Sequence, residues 1–323
     1  RRSAAALIHA EPDEIALLKN TSEGLATVAR GLDWRAGDRI VTTGIEYPAN
    51  IYPWMDVSRR YGVELLLVPE RERDDGSRFV PLEDILAEAA HARTRLLTLS
   101  HIEYASGQRH DLAVLGQFCR ERGILFCVDA IQSVGAFPVD VRAMGVDFLA
   151  ADGHKWMLGP EGAAIFYCRR ERLAELAPLA IGWMNVVDAD RYGDYDFTLK
   201  PDARRYECGS WNVAGFLGLR ASVDMLLAVG IDAVSARLKV LTDRLVEGLR
   251  SLGARVVSPR RGGQWSGIVS WTQEGDLPAI ASRLRRDFRT EVALREGRLR
   301  CSPHFYNTEA QIDRLLERLR SMG

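Results

Sequence analysis

The chain has 323 residues, 47% apolar and 27% charged, the ordinary balance of a globular protein with one large domain or a large and a small one. The charges of its 43 Lys and Arg residues nearly cancel those of its 44 Asp and Glu residues, so we expect no nucleic-acid partner. No apolar run approaches the roughly 18 residues that cross a bilayer, so we expect no membrane partner. The five cysteines are odd in number and form no C-x-x-C pair, which argues against a disulfide framework or a metal site and predicts a cytoplasmic location.

Short apolar runs alternate with amphipathic stretches from residue 12 to about residue 170. The predicted strands are Glu14–Leu18, Arg39–Thr43, Val63–Val68, Thr94–Ser100, Ile124–Ala130, Phe148–Ala151 and Ala163–Cys168. The predicted helices between them are Glu23–Gly31, Asn50–Tyr61, Leu82–His91 and Leu112–Arg122. Largely apolar strands separated by helices indicate a buried, mainly parallel sheet covered on both faces. We therefore expect a large, doubly wound α/β domain over residues 1–211, with ligands at the carboxyl ends of its strands.

The second part of the chain has a different pattern. Residues from about 171 to 211 are rich in Asp, Tyr, Gly and Pro and predict a connection. The predicted elements after it are the helices Ala214–Ala228, Ala233–Leu252 and Leu277–Phe288, the strands Ala254–Val257, Gly267–Trp271, Glu291–Leu294 and Arg298–Ser302, and a last helix. That helix begins with the capping box Thr308-x-x-Gln311. Residues 212–323 are therefore predicted to form a smaller α+β domain.

Polar groups follow the predicted strands of the large domain. Asn20–Gly24 opens a helix, where free backbone N–H groups and the hydroxyls of Thr21 and Ser22 suit a phosphate. A simple N-cap is the alternative for this segment. His101 directly follows its strand and is interpreted either as a hydrogen-bonded turn histidine or as a cofactor contact.

Two further strand ends carry an acid and an amine. Asp129 ends one apolar run, with Gln132 three residues on. A carboxylate there must be paired or cap the next helix, because an unpaired buried charge is costly. Lys155 follows the next strand beside His154. Lysines are rarely buried without a partner or a function, and a surface lysine on a loop is the alternative.

Together these groups meet the needs of pyridoxal phosphate (PLP). This cofactor requires a lysine amine, an acid opposite the pyridine nitrogen, a donor to the ring oxygen, a planar group over the ring and an anion cradle. We predict that Lys155 holds PLP as a Schiff base and moves the α-proton of the substrate. Asp129 would be the acid, Gln132 the donor and His101 the planar group.

Two motifs strengthen this prediction. They are Val128-Asp129-Ala130-Ile131-Gln132-Ser133 and Gly153-His154-Lys155-x-x-x-Gly159-Pro160-x-Gly162. They resemble the class V aminotransferases of PLP fold type I, which include cysteine desulfurases, selenocysteine lyases, kynureninases and isopenicillin N epimerase-like proteins. The resemblance runs over nearly the whole chain, and Glu46-Tyr47-Pro48-Ala49-Asn50 is similar to a desulfurase segment.

The resemblance implies roles for individual residues. It repeats the roles given above to Lys155, Asp129, Gln132 and His101, and it adds phosphate contacts from Thr21, Ser22 and His154. Ser210 is implied to reach the phosphate of a neighbouring subunit, and hence a homodimer with shared active sites. Arg300 is implied to grip the substrate carboxylate with help from Arg295, because an Arg fork binds carboxylates bidentately. Solvated surface is the alternative for this arginine-rich region.

Three features depart from the family pattern. The stretch from Phe288 to Leu299 holds no cysteine, so we do not expect persulfide-forming desulfuration. Asp152 stands where desulfurases commonly have a serine, and we expect it to face a cation or the amine of Lys155. The arm and first helix that usually precede Asn20–Gly24 are expected to be missing.

The predicted function is that of a PLP-dependent enzyme acting at the amino group or α-carbon of an amino acid, of the aminotransferase or C–S lyase type. An isopenicillin N epimerase-like enzyme is the alternative within PLP chemistry. A non-catalytic binding protein on the same fold would be expected to have lost Lys155 or Asp129. A nicotinamide-dependent oxidoreductase has no support, because no G-x-G-x-x-G follows an early strand.

Overall fold

A computed structural model describes residues 1–322. Its helices are α1 (Arg2–Ile8), α2 (Thr21–Gly31), α3 (Tyr52–Tyr61), α4 (Leu82–Ala89), α5 (Leu112–Arg122), α6 (Val213–Val229), α7 (Ile231–Ser251), α8 (Leu277–Phe288) and α9 (Glu309–Arg320). Its strands are β1 (Ile15–Leu18), β2 (Arg39–Thr43), β3 (Glu64–Val68), β4 (Arg71–Glu72), β5 (Arg78–Phe79), β6 (Thr94–Ser100), β7 (Leu125–Asp129), β8 (Phe148–Asp152), β9 (Ala164–Cys168), β10 (Arg255–Val256), β11 (Val269–Thr272), β12 (Ala293–Arg295) and β13 (Arg298–Cys301). Short 3-10 helices include Pro48–Asn50 and Ala203–Tyr206.

The large sheet has seven strands in the order β1-β9-β8-β7-β6-β2-β3. The strands from β8 to β3 pair in parallel, whereas β9 is antiparallel to both β1 and β8. Separate apolar clusters pack on the two faces of this sheet. Because β7, β8 and β9 are buried along their whole length, their sequences are apolar runs rather than alternating ones. The predicted doubly wound, mainly parallel sheet is confirmed.

Strand direction brings several chain segments to one edge of the sheet. Because β1 is antiparallel to β9, which is antiparallel to β8, β1 runs in the same direction as β8. The segments that follow β1, β2, β6, β7 and β8 therefore meet at one edge. This is the edge where a doubly wound sheet binds its ligands.

A second sheet lies in the later part of the chain. Its order is β10-β11-β13-β12, and all its pairs are antiparallel. It shares an apolar cluster with α8, α9 and the part of α7 that begins at Leu241. Residues of α6 and the start of α7, up to Leu238, instead pack into a cluster of the large sheet. Helix α7 thus packs with the large sheet up to Leu238 and with the second sheet from Leu241. The predicted domain boundary at residue 212 stays a prediction.

Three short elements were not predicted from the sequence. Strands β4 and β5 form a two-stranded hairpin between β3 and α4. Helix α1 precedes Asn20–Gly24 and buries Ala4, Ala5, Leu7 and Ile8. The expectation that the family's arm and first helix are missing stays a prediction.

Between residues 1 and 322, no single helix is long and apolar enough to cross a bilayer. The consecutive helices α6 and α7 meet the criteria of length and composition only as a pair, bent by 80°.

Candidate active site

A cavity of about 190 Å³ lies at the carboxyl edge of the large sheet. Six residues predicted from the sequence line it, and they come from the start of α2, the end of β7 and the segment after it, and the segment after β8. They are Thr21, Ser22, Asp129, Gln132, His154 and Lys155. The fold therefore brings together groups that lie more than 130 positions apart in the chain.

Lys155 and Asp129 are the charged pair of this cavity. Burial lowers the pKa of the half-buried Lys155, an effect that Asp129 opposes and Arg300 reinforces. Asp129 is 2% exposed, and its Oδ1 accepts a hydrogen bond of 3.0 Å from the backbone N–H of Ile131. Burial raises the pKa of Asp129 to about 6. A protonated pyridine nitrogen would supply a further positive partner for this carboxyl.

Gln132 is oriented by a tryptophan. The indole Nε1 of Trp156 donates to Oε1 of Gln132 at 2.8 Å, and both side chains are buried. Because the amide oxygen is engaged by the indole, the amide nitrogen is the atom left to donate elsewhere. This arrangement fits the predicted donation to the ring oxygen of PLP.

The start of α2 has a side-chain cap and free backbone N–H groups. Asn20 caps the helix, with its Oδ1 accepting a 2.9 Å hydrogen bond from the backbone N–H of Glu23. Thr21 and Ser22 are the first two residues of the helix, whose N–H groups have no partner within it. The N-cap is therefore confirmed, and the phosphate contact stays a prediction that the free first N–H groups are compatible with.

Close packing holds α2 against the sheet. A Cβ atom on Gly24 would lie 2.7 Å from Cβ of Ala150 in β8 and 3.2 Å from Cδ2 of Phe166 in β9. Only glycine lets the helix axis approach the strands this closely. The same contact fixes the height of the helix start above the end of β8.

Asp152 faces a histidine. Its Oδ1 lies 3.0 Å from Nδ1 of His154, and its backbone N–H donates to Oγ1 of Thr21 at 2.9 Å. The sequence left a cation or the amine of Lys155 as alternatives. The direct contact is with His154. The charge of Asp152 also acts on Lys155, where it partly offsets the lowering of the pKa by burial.

His101 does not lie over this cavity. It follows the end of β6, where Ser100 lines the cavity and the next side chain faces the other way. His101 is 3% exposed and lines a different cavity of about 350 Å³, together with Gln108 and His110. The structure therefore does not bring His101 to the ring-stacking position predicted for it.

Tyr47 is the aromatic residue that the sequence interpretation missed. It lines the cavity, and its ring centroid lies 5.7 Å from Nζ of Lys155. Its ring also packs edge to face on Tyr104, with centroids 5.2 Å apart. Tyr47 follows β2, which neighbours β6 in the sheet. The desulfurase-like segment Glu46–Asn50 was the available signal for this residue.

Arg300 reaches the edge of the site from the second sheet. Its Nη1 donates to the backbone oxygen of Tyr104 at 2.6 Å, and burial lowers the pKa of Arg300. Its Nε is buried and has no hydrogen-bond partner among residues 1–322. A buried donor of this kind suits an incoming carboxylate. Arg295 is exposed, and its Nη1 bonds to the backbone oxygen of Leu294.

Ser210 lies apart from these residues within one chain. It is exposed and lines a separate surface cavity with Lys19, Glu207 and Trp211. The contact predicted for it is with a neighbouring subunit, so its role stays a prediction.

The sheet and the cavity define a PLP-dependent enzyme of fold type I. A family model described as aminotransferase class-V matches residues 1–315. The chain therefore belongs to the class V aminotransferase family.

Relatives and solved structures agree with this assignment. The chain is 34% identical over 351 residues to a probable cysteine desulfurase of Methanothermobacter thermautotrophicus, covering 100% of this chain and 83% of the relative. It is 32% identical over 347 residues to the isopenicillin N epimerase of Streptomyces clavuligerus, covering 99% and 82%. The apo cysteine desulfurase of Thermococcus onnurineus superposes with a TM-score of 0.90 at 28% identity, covering 99% of this chain and 82% of that chain. A cystine C–S lyase in complex with its product cysteine persulfide superposes with a TM-score of 0.88 at 26% identity, covering 98% and 84%.

Proposed function

We propose that this enzyme eliminates sulfur from a sulfur-containing amino acid and releases it to solvent, without passing it to a cysteine of its own chain. The likeness to a cystine C–S lyase and to cysteine desulfurases supports a sulfur-containing substrate. The observation that carries the proposal is the state of the thiols in this chain.

The cysteines are poorly placed to act as nucleophiles. Burial raises the pKa of Cys301 to about 11 and that of Cys119 to about 12, and burial also raises the pKa of Cys127 and Cys168. A thiol reacts as its thiolate, so these groups are largely unreactive at neutral pH. The half-exposed Cys208 lies outside the residues that line the cavity. A persulfide on the protein has no evident acceptor among these five thiols.

Each residue of the site would have a separate role in the reaction. When bound, PLP supplies an electron sink for negative charge at the substrate α-carbon. Arg300 would bind the substrate carboxylate, and Lys155, whose pKa is lowered by burial, would accept the α-proton. Asp129 would balance the charge of the ring nitrogen, and Tyr47 would restrict motion of the ring. Breaking the Cα–H and Cβ–S bonds, followed by hydrolysis, yields pyruvate, ammonia and a sulfide or persulfide.

Epimerisation is the second candidate, supported by the 32% identity to isopenicillin N epimerase over nearly the whole chain. It needs the same removal of the α-proton, but the proton returns to the opposite face of the α-carbon. It needs no sulfur leaving group at the β-carbon.

We also propose that the active enzyme is a homodimer with shared sites. The exposed position of Ser210 supports this arrangement, and so does a separate segment with exposed aromatic residues that precedes the 3-10 helix Ala203–Tyr206. Tyr192, Tyr195 and Phe197 are 83%, 98% and 67% exposed. Exposed apolar groups at this density are typical of an interface.

The proposed elimination is tested by incubating the PLP-loaded enzyme with cystine, cysteine or alanine, each with and without a keto acid. We expect pyruvate and sulfide or persulfide from cystine or cysteine, in equal amounts and without a keto acid. Amino transfer that depends on the keto acid and yields no sulfur product would instead identify an aminotransferase. Deuterium incorporation at the α-carbon with inversion, again without sulfur release, would identify an epimerase.

A further inference from the structure

Asp152 is a carboxylate at the edge of the predicted phosphate site. It ends β8 and is 5% exposed, and it lines the cavity together with Thr21 and Ser22. A carboxylate here would repel a phosphate dianion unless its own charge were engaged elsewhere. A buried carboxylate also needs a partner, because desolvating an unpaired charge is costly.

His154 is the partner that the structure provides. Its Nδ1 lies 3.0 Å from Oδ1 of Asp152, within ion-pair distance. Oδ1 is otherwise buried, and no group in residues 1–322 donates to it with the angle of a good hydrogen bond. A small rotation of the imidazole would complete this bond. Because His154 also lines the cavity, its second ring nitrogen remains for a ligand.

We propose that Asp152 is a positioning residue that acts through His154 to favour PLP over non-phosphorylated pyridoxal. Asp152 accepts from Nδ1–H, which sets the ring orientation and leaves Nε2–H to donate to the phosphate. Each nitrogen of the ring can then donate one hydrogen bond, one to Asp152 and one to the phosphate. Carboxylates behind metal-binding histidines orient the ring in the same way. The inference depends on PLP binding and not on the proposed elimination.

The backbone of Asp152 supports the same site by a separate contact. Its N–H donates to Oγ1 of Thr21 at 2.9 Å, so the hydroxyl hydrogen of Thr21 is left for another acceptor. A substitution at position 152 keeps this backbone bond. The effect of the side chain can therefore be measured without removing the Thr21 contact.

The experiment measures the equilibrium dissociation constants of PLP and pyridoxal for the wild type, Asp152→Asn, His154→Gln and the double variant. We expect Asp152→Asn to weaken PLP binding about 10-fold, the lower end of the losses seen when carboxylates behind histidine ligands are removed. Pyridoxal binding should not change, which separates this role from any effect of Asp152 on Lys155, because both compounds react with Lys155. In the His154→Gln background, Asp152→Asn should cause no further loss.

Three results would overturn the proposal. Tighter PLP binding by Asp152→Asn would mean that the carboxylate only repels phosphate. An equal loss of pyridoxal binding would mean that Asp152 acts on Lys155. An equal loss of PLP binding in the His154→Gln background would show that Asp152 does not act through His154. If the variant does not fold, nitrogen NMR of histidine-labelled wild type decides the question. With PLP bound, Nδ1 of His154 should carry a hydrogen that is hydrogen-bonded to Asp152, and an Nδ1 without a hydrogen would contradict the proposal.

Discussion

At the scale of single residues, Lys155 is the residue proposed to hold the cofactor covalently. Lys155→Ala should abolish covalent cofactor attachment and lower turnover by about 100-fold or more, because it removes both the tether and the proton acceptor. Borohydride treatment followed by peptide mass analysis measures the attachment. The thermal melt of the cofactor-free protein serves as the control for folding. Turnover retained at the wild-type rate would exclude Lys155 as the tether.

The raised pKa of Asp129 makes the stability of the cofactor-free protein depend on pH. Burial raises its pKa to about 6, so the folded chain binds a proton that the unfolded chain has already lost between about pH 4 and pH 6. The stabilising contribution is present below pH 4 and is lost as the pH rises through 6. At pH 8 the ionised carboxyl should cost up to about 3 kcal/mol, at about 1.4 kcal/mol per pKa unit.

Asp129→Asn should therefore stabilise the cofactor-free protein at pH 8, and the gain should vanish towards pH 4. Urea unfolding at several pH values measures this difference, with Asp33→Asn at an exposed position as the matched control. In the loaded enzyme the same substitution should slow turnover by about 100-fold, because the ring nitrogen loses its charged partner. A gain in stability that is independent of pH would contradict the assigned pKa.

At the scale of elements, the close approach of α2 to the sheet sets the position of the predicted phosphate site. Gly24→Ala should destabilise the fold by about 1–3 kcal/mol, because its Cβ would overlap Ala150. The displaced helix start should also weaken PLP binding. Gly218→Ala in α6 is the matched control, since its Cβ meets only Pro160 at 3.4 Å, and it should stabilise by up to about 1 kcal/mol. Chemical denaturation and PLP titration measure both effects, and a neutral Gly24→Ala would show that α2 is free to shift.

The regular elements were the part of the fold most open to prediction. The bounds of β2, β6, α5 and α8 agree with the predicted ranges, because each has a clear apolar pattern between polar or glycine-containing segments. The short helix α1 and the hairpin of β4 and β5 were missed. Segments of two to seven residues are too short to show a period, and tertiary contacts decide their conformation.

At the scale of the whole molecule, the proposed dimer predicts a site to which both subunits contribute residues. We expect sedimentation equilibrium to give twice the mass of the chain. Ser210→Ala should raise the dissociation constant of PLP several-fold without changing that mass, because it removes one hydrogen bond to the phosphate across the interface. A monomer that binds PLP as tightly as the wild type would contradict shared sites.

The sequence by itself determined the fold class and the cofactor, and it predicted six of the residues that line the cavity. Apolar runs alternating with amphipathic segments predict a parallel sheet, and the residues after such strands meet at one edge for geometric reasons. Lys155, Asp129 and Gln132 could therefore be assigned without coordinates. Their spacing within two short motifs supplied the family resemblance.

Only the tertiary structure decided which side chains face the cavity. Strand order places the segment after β2 beside β6, so Tyr47 faces Lys155 while His101 turns into another cavity. The pairing of Asp152 with His154 and the change of packing partner inside α7 were settled in the same way. Local periodicity reports whether a residue is buried, but its partners depend on contacts between segments far apart in the chain.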